Sequence, residues 1–248
     1  MPITLSKLYN SETYQILNAP SYTLAETSRL VGVSKGRIKR WLRGYEYTYE
    51  VDGGSEIRSG SQDALVNRVK NEDPSFASFL DLIDLQFVKS FLDRGFTLQG
   101  IRIALNDARK YLNTPHFASC RFFTYGKRIF LDKKNAPPEA KGLIALLTGG
   151  QQAFEEIVKP ISDKIDFEHD TGFDLAMRWY PKGKNGHIVI DPQISFGKPT
   201  LIGRRLTTSN IFDAYLGENE SIDRIEKWFN IKPIEIISAI QFERSMVA

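Results

Sequence analysis

Read by the spacing of apolar and polar positions, the chain is a series of helix-forming stretches with short alternating runs between them. After Thr23, the apolar residues Leu24, Leu30 and Val31 share a helical face with Thr27. Thr23-Leu24-Ala25-Glu26 reads as a capping box: the threonine hydroxyl accepts the Glu26 N–H and the glutamate reaches back. Gly32 stops the helix, because the left-handed backbone of a helix C-terminus suits glycine. Val33 plugs the turn, and Ser34 caps a second helix from Lys35 to Arg43, with Ile38, Trp41 and Leu42 facing inward. Helix, short glycine turn and helix is the helix-turn-helix layout. Tyr45 to Val51 then alternates strictly and meets Asp52-Gly53-Gly54, a hairpin signal with a return strand over Ser55 to Arg58. In that position a hairpin is a wing.

Further along, the pattern predicts a short helix over Gln62 to Lys70. A longer one runs from Phe76 to Arg94, with Phe79, Leu82, Ile83, Phe87 and Phe91 as a core stripe. A third, over Leu98 to Tyr111, is capped by Thr97. Arg121 to Leu131 reads as a hairpin turning at Gly126-Lys127. Helices follow over Pro138 to Leu147 and Gln151 to Lys159, the latter bent or ended by Pro160. Ile165 to His169 and Leu175 to Tyr180 read as strands. Gly/Pro-rich short strands then lead to helices at Thr208 to Leu216, Ser221 to Phe229 and Lys232 to Glu243. The expected class is mainly α with small β hairpins. An N-terminal winged helix-turn-helix covers 1–112, a mixed α/β connector 113–181, and a C-terminal three-helix, helix-turn-helix-like domain 182–248.

Charge changes this picture at one place. Net charge is only +3, a slight hint of an anionic partner. Between Ser34 and Gly44, however, there are five basic residues and no acid. With Ile38, Trp41 and Leu42 inside, Gly36, Arg40 and Arg43 point directly away and Arg37 and Lys39 flank them. On the helix that this layout presents to a major groove, such a face is a DNA contact; elsewhere it would be a solvated surface. Gly36 near the helix N-terminus lets backbone approach a phosphate or base edge. The candidate DNA-binding residues are therefore Ser34, Lys35, Gly36, Arg37, Lys39, Arg40 and Arg43, with Arg58 at the wing exit.

These residues carry a resemblance. Tyr22-Thr23-Leu24-Ala25-Glu26, Gly32-Val33-Ser34, Ile38 and Trp41-Leu42, then a wing, then Leu82-Ile83 and Phe91-Leu92-Asp93-Arg94-Gly95-Phe96-Thr97-Leu98 with Ile101, resemble the winged helix of MerR-type regulators. About ninety residues are covered. Two features depart from that family: an insertion at about Ser59 to Asp73, and the lack of a long coiled-coil helix after Leu112, the element through which those regulators dimerise.

Apolar residues make up 42% of the chain and charged residues 25%, the balance of a soluble fold. No apolar run approaches the ~18–20 residues of a membrane-spanning helix, and no secretory leader is expected. One cysteine, Cys120, excludes a disulfide framework and a thiolate zinc site, so the expected location is cytoplasmic. An enzyme reading rests on Asp166, Glu168, Asp170 and Asp174 with His169 among them. Their spacing fits no oxygen-ligand loop, and solvated strand edges account for them better. His116, His169 and His187 are too scattered for a metal site. No hydrolase, Walker or dinucleotide fingerprint appears, so no enzyme activity, metal or cofactor is expected.

The C-terminal stretch carries a second resemblance. His187-Ile188-Val189-Ile190-Asp191-Pro192, then Gly197-Lys198-Pro199-Thr200-Leu201-Ile202-Gly203-Arg204-Arg205-Leu206 and three short helices, resemble the family called domain of unknown function 433. Arg204 stands where that pattern has threonine. Behind an N-terminal helix-turn-helix, this arrangement resembles VapB-type antitoxins. It implies an antitoxin that neutralises a PIN-like ribonuclease toxin and represses its own operon as a dimer on double-stranded operator DNA.

Ser221 to Ile240 also lies over Thr23 to Leu42 without a gap. Ser221 falls on Thr23, Asn230 on Gly32, Ile231 on Val33 and Ile236 on Ile38. The tail therefore reads as a second helix-turn-helix, but Pro233, Ile234 and Glu235 stand where the first has Lys35, Gly36 and Arg37. DNA binding without phosphate neutralisation is weak. This copy is expected to contact protein, through Ile234 and Ile237, unless those isoleucines only pack inside their own domain. The alternative for the whole chain is a stand-alone MerR-like transcription regulator whose middle region binds a small effector.

Overall fold

The computed structural model describes residues 11–51, 56–66, 75–112, 151–168 and 175–247, together with 116 and 118. The expected hairpin at 121–131, the helix at 138–147, Cys120, His169, Asp170, Asp174 and the wing turn at 52–55 lie outside the described residues. What is described is mainly helical, with four small antiparallel two-stranded pairs.

The N-terminal elements are α1 (Glu12–Leu17), β1 (Tyr22–Thr23), α2 (Leu24–Val31) and α3 (Lys35–Arg43), followed by the ribbon β2 (Tyr45–Val51) and β3 (Glu56–Gln62). The capping box of α2 is complete. The Thr23 N–H donates to Glu26 Oε2 at 2.8 Å, and the Glu26 N–H donates to Thr23 Oγ1 at 3.2 Å. Gly32 is left-handed at φ +71°, as a helix C-terminus requires. Ser34 stands at the N-cap of α3 but makes no side-chain capping bond, contrary to the sequence expectation.

β4 (Phe76–Ala77) pairs with β1, Tyr22 opposite Ala77 and Thr23 opposite Phe76. This corrects the expected start of the long helix. Phe76 is in a strand, and α4 runs Phe79–Asp93 behind a second capping box made by Ser78 and Asp81. α4 is the centre of the larger core: Phe79, Leu80, Leu82, Ile83, Leu85, Phe87, Val88 and Phe91 are all buried. Its near-continuous burial explains why it carries apolar residues nearly all round. α5 (Leu98–Leu112) follows, with the Gly100 N–H bonded to Thr97 Oγ1 at 3.1 Å.

α6 (Gln151–Ser162) passes through Pro160 and ends just beyond it. β5 (Ile165–Phe167) pairs with β6 (Ala176–Trp179), and β7 (Ile188–Val189) with β8 (Thr200–Leu201). Trp179 and Ile190 exchange both backbone hydrogen bonds, at 2.9 and 2.8 Å, which joins the two ribbons. Three helices close the chain: α7 (Thr208–Gly217), α8 (Ile222–Phe229) and α9 (Pro233–Val247). Leu201, Ile211, Tyr215, Ile225, Ile231, Ile236, Ala239 and Ile240 form a second, smaller core there.

The two helix pairs agree position by position. Eight residues of α8 match eight of α2, and Asn230 is left-handed at φ +49° where Gly32 is. Ile236, Ala239 and Ile240 are buried like Ile38, Trp41 and Leu42. The repeat expected from sequence is present in the backbone.

Candidate nucleic-acid interface

Burial of Ile38, Trp41 and Leu42 fixes the rotation of α3. Ser34, Lys35, Gly36, Arg37, Lys39, Arg40 and Arg43 are consequently all exposed, and the helix has no acid. A Cβ at Gly36 would meet nothing within 4 Å, so the backbone there is open to an approaching surface. Two cations are positioned by aromatic faces. The Arg37 guanidinium lies 5.4 Å from the Trp41 ring centroid, and the Arg40 guanidinium 5.5 Å from that of Tyr45.

The Arg40–Tyr45 contact joins the helix to the ribbon. Residues of β2 alternate between faces, so Tyr45, Tyr47 and Tyr49 lie together, with successive ring centroids 6.0 Å apart. All three are exposed, at 39%, 45% and 46%. Opposite Tyr47 stands Gly60, and a Cβ there would lie 2.7 Å from the ring. Glycine is what lets the ring lie down across the partner strand. Glu46 and Glu50 occupy the other face. The ribbon thus has an aromatic, hydroxyl-bearing side continuous with the basic helix and an acidic side turned away from it.

β3 is longer than expected. Ser59 to Gln62 pair with Thr48 to Tyr45, so the first part of the supposed insertion is wing. The predicted helix from Gln62 is not formed at its start: Gln62 is in the strand, and the Leu65 and Val66 N–H groups bond to the Trp41 carbonyl at 2.7 and 3.2 Å. Arg58 is on the tyrosine side, opposite Tyr49, and is held by Glu56 through two contacts of 3.0 Å. Its charge is therefore partly neutralised. The tyrosines were missed by sequence reasoning. The alternation was read as a strand, but which face adjoins the helix depends on the fold.

In the trailing pair, Ile234 is 51% exposed and Ile237 is partly buried. Arg204, in the loop after β8, approaches Glu235 at the start of α9 at 3.7 Å. The other end of α9 reaches the leading pair. Ser245 and Met246 line a cleft of about 500 Å3 with Ser28, Arg29 and the turn Gly32-Val33-Ser34. Nearby, the Tyr22 hydroxyl donates to the Gly197 carbonyl at 2.9 Å, across 175 residues of sequence. Burial pushes that phenol well above its ordinary range, and the charges of Glu26 and Asp191 add to the shift.

Of the acidic stretch, Asp166 is paired. Asp166 accepts from Tyr180 Oη at 2.7 Å and from Lys184 Nζ at 2.5 Å. Burial alone would raise this carboxyl, but those hydrogen bonds and the charges of Lys184 and Arg178 outweigh it and hold the group below the usual carboxylate range. Asp191 is buried and accepts from Arg178 Nε at 2.7 Å, which raises the arginine further. His116 is buried between Asp84 (2.9 Å) and Tyr14 (3.2 Å). Among the described residues, no group of three or more His, Cys, Asp or Glu side chains is placed to hold a metal ion. Among the same residues, no helix is long and apolar enough to cross a membrane.

The family described as "Protein of unknown function (DUF433)" matches residues 188–242, which includes β7, β8 and most of the three closing helices. A Mycobacterium tuberculosis protein described as "Putative antitoxin VapB45" is 25% identical over 204 residues, covering 78% of this chain and 82% of that protein. The X-ray crystal structure of Rv2018 from Mycobacterium tuberculosis superposes with a TM-score of 0.68 at 21% identity, over 90% of this chain and 99% of that one. The last comparison establishes likeness of fold across nearly the whole molecule.

Proposed function

We propose that this chain is the DNA-binding antitoxin of a toxin–antitoxin pair, holding a PIN-like ribonuclease toxin and repressing its own operon. The observation that carries the DNA half is α3, whose outward surface is wholly basic, free of acid and backed by a buried Ile38–Trp41–Leu42 seam. Lys39 and Arg40 stand where a helix lying in a major groove would meet phosphate and base edges, with Ser34, Lys35, Gly36, Arg37 and Arg43 around them. The tyrosine side of the wing extends this surface and offers hydroxyl donors to the backbone, with Arg58 at its far end. The antitoxin half rests on the likeness to the Mycobacterium tuberculosis relative so described and on the family match at 188–242. Paired operator half-sites call for a two-fold dimer, because one helix reads only one half-site.

Two measurements test this reading. In mobility-shift titrations against upstream DNA of its own gene, Arg40→Ala should cost about 1–3 kcal/mol and relax preference at one base pair. Lys39→Ala should weaken all sequences alike. No loss on either change rejects the DNA assignment. In co-expression, the chain should co-purify with the product of the adjacent gene. DNA binding without such capture would return the protein to a stand-alone MerR-like regulator.

A further inference from the structure

The loop between β7 and β8 holds three successive left-handed residues: Ser195 at φ +49°, Phe196 at +56° and Gly197 at +74°. Glycine adopts that backbone freely, whereas the Cβ of serine or phenylalanine crowds its own carbonyl there. The Phe196 side chain is also 87% exposed, so its ring gains almost no packing within the chain. A strained backbone and an aromatic ring left in water coincide at one residue, and packing among the described residues does not account for them.

The loop is nevertheless held firmly. Tyr22 Oη donates to the Gly197 carbonyl at 2.9 Å, and Ser195 Oγ donates to the Arg205 carbonyl at 3.3 Å. The Gln193 N–H bonds to Asp191 Oδ1 at 2.9 Å, on the carboxylate that Arg178 anchors. Strained residues persist where their surroundings over-determine them, and such positions concentrate at functional sites. A rigid, exposed aromatic side chain has the properties of an interface anchor: a large apolar area and little entropy left to lose.

The charge around Phe196 narrows the partner. Ser195 to Arg205 holds Lys198, Arg204 and Arg205 and no acid, and all three are exposed; Arg204 faces Glu235 at 3.7 Å, so Lys198 and Arg205 carry most of the cationic character. Residues 188–247 as a whole carry seven Lys or Arg against eight Asp or Glu, a net charge of −1, which gives no general attraction for a polyanion. From this knob and its cationic rim we infer that Phe196 anchors a folded protein partner whose apolar pocket is edged by carboxylates. Under the function proposed above, on which this inference rests, that partner is the toxin. The contact thus moves from Ile234 and Ile237 to the β7–β8 loop.

The test uses the full chain, with the purified product of the adjacent gene as probe. Phe196→Gly removes the ring and relieves the backbone at once, so its melting temperature should equal or exceed that of the wild type. Its affinity for the probe should fall by ~10-fold or more. Lys198→Glu with Arg205→Glu should weaken capture too, while Arg40→Ala should leave it unchanged. Equal affinity of wild type and Phe196→Gly would overturn the inference and leave the antitoxin reading standing. Failure of the wild type to bind the probe would remove both. Loss of self-association on Phe196→Gly, with capture unchanged, would assign the knob to a second copy of this chain, and loss of DNA affinity would assign it to nucleic acid. Either result overturns the inference.

Discussion

Gly197 ties the β7–β8 loop to β1, 175 residues earlier in the sequence. Its carbonyl accepts the buried Tyr22 hydroxyl, and a Cβ built on it would lie 2.3 Å from that oxygen. Its φ of +74° adds backbone strain for any other residue. Gly197→Ala should therefore destabilise the protein by about 2–4 kcal/mol, read from denaturant unfolding. Tyr22→Phe alone should cost about 1–2 kcal/mol, and in the double variant the combined cost should be less than the sum of the two, because removing the hydroxyl takes away the closest contact. Additive costs would show that the two residues do not act on each other. The sequence displayed Gly197-Lys198-Pro199 as part of a motif but gave no sign of Tyr22 as its partner. A contact across 175 residues has no periodicity to betray it. The same holds for His116, whose partners Asp84 and Tyr14 come from elements far away in the chain.

At the level of elements, local signals were readable where local physics decides the outcome. The capping box at Thr23, the left-handed stop at Gly32 and the buried triplet of α3 follow from side chains within four residues of one another. The trailing pair follows for the same reason, Asn230 replacing glycine at the left-handed position. β4 escaped notice because its two residues sit in an apolar run that reads as helix, and only pairing with β1 makes them strand. β3 was under-read because Ser59-Gly60-Ser61 has no apolar alternation. Its pairing is imposed by the tyrosine strand opposite. Asp166, on β5, ties that strand to Tyr180 and Lys184 beyond β6. Because its folded-state pKa is depressed, its contribution to stability is present above the unfolded-state value of about 3.9 and is lost as pH falls through the folded value. Asp166→Asn should flatten the acid limb of the stability–pH curve below about pH 4 and change little of its slope near neutrality. An unchanged acid limb would mean that the cluster contributes no linkage.

On the scale of the whole molecule, one helix-turn-helix arrangement occurs twice with opposite surface chemistry. The leading pair shows Lys35, Arg37, Lys39, Arg40 and Arg43, whereas the trailing pair shows Pro233, Ile234 and Glu235 in the corresponding turn. The end of α9 beside the leading turn, and the Tyr22–Gly197 bond, bring the two pairs together. That only the leading copy meets the duplex is the central claim, and the salt dependence of DNA binding tests it most directly. Each phosphate neutralised contributes about 0.9 to the slope of log K against log salt concentration. The slope for Lys39→Ala with Arg40→Ala should be shallower than wild type by about 1, the share of the Lys39 phosphate contact, while Lys227→Ala with Lys232→Ala should reproduce the wild-type line. A leading-pair variant that keeps the wild-type slope, or a trailing-pair variant that loses it, would contradict the account.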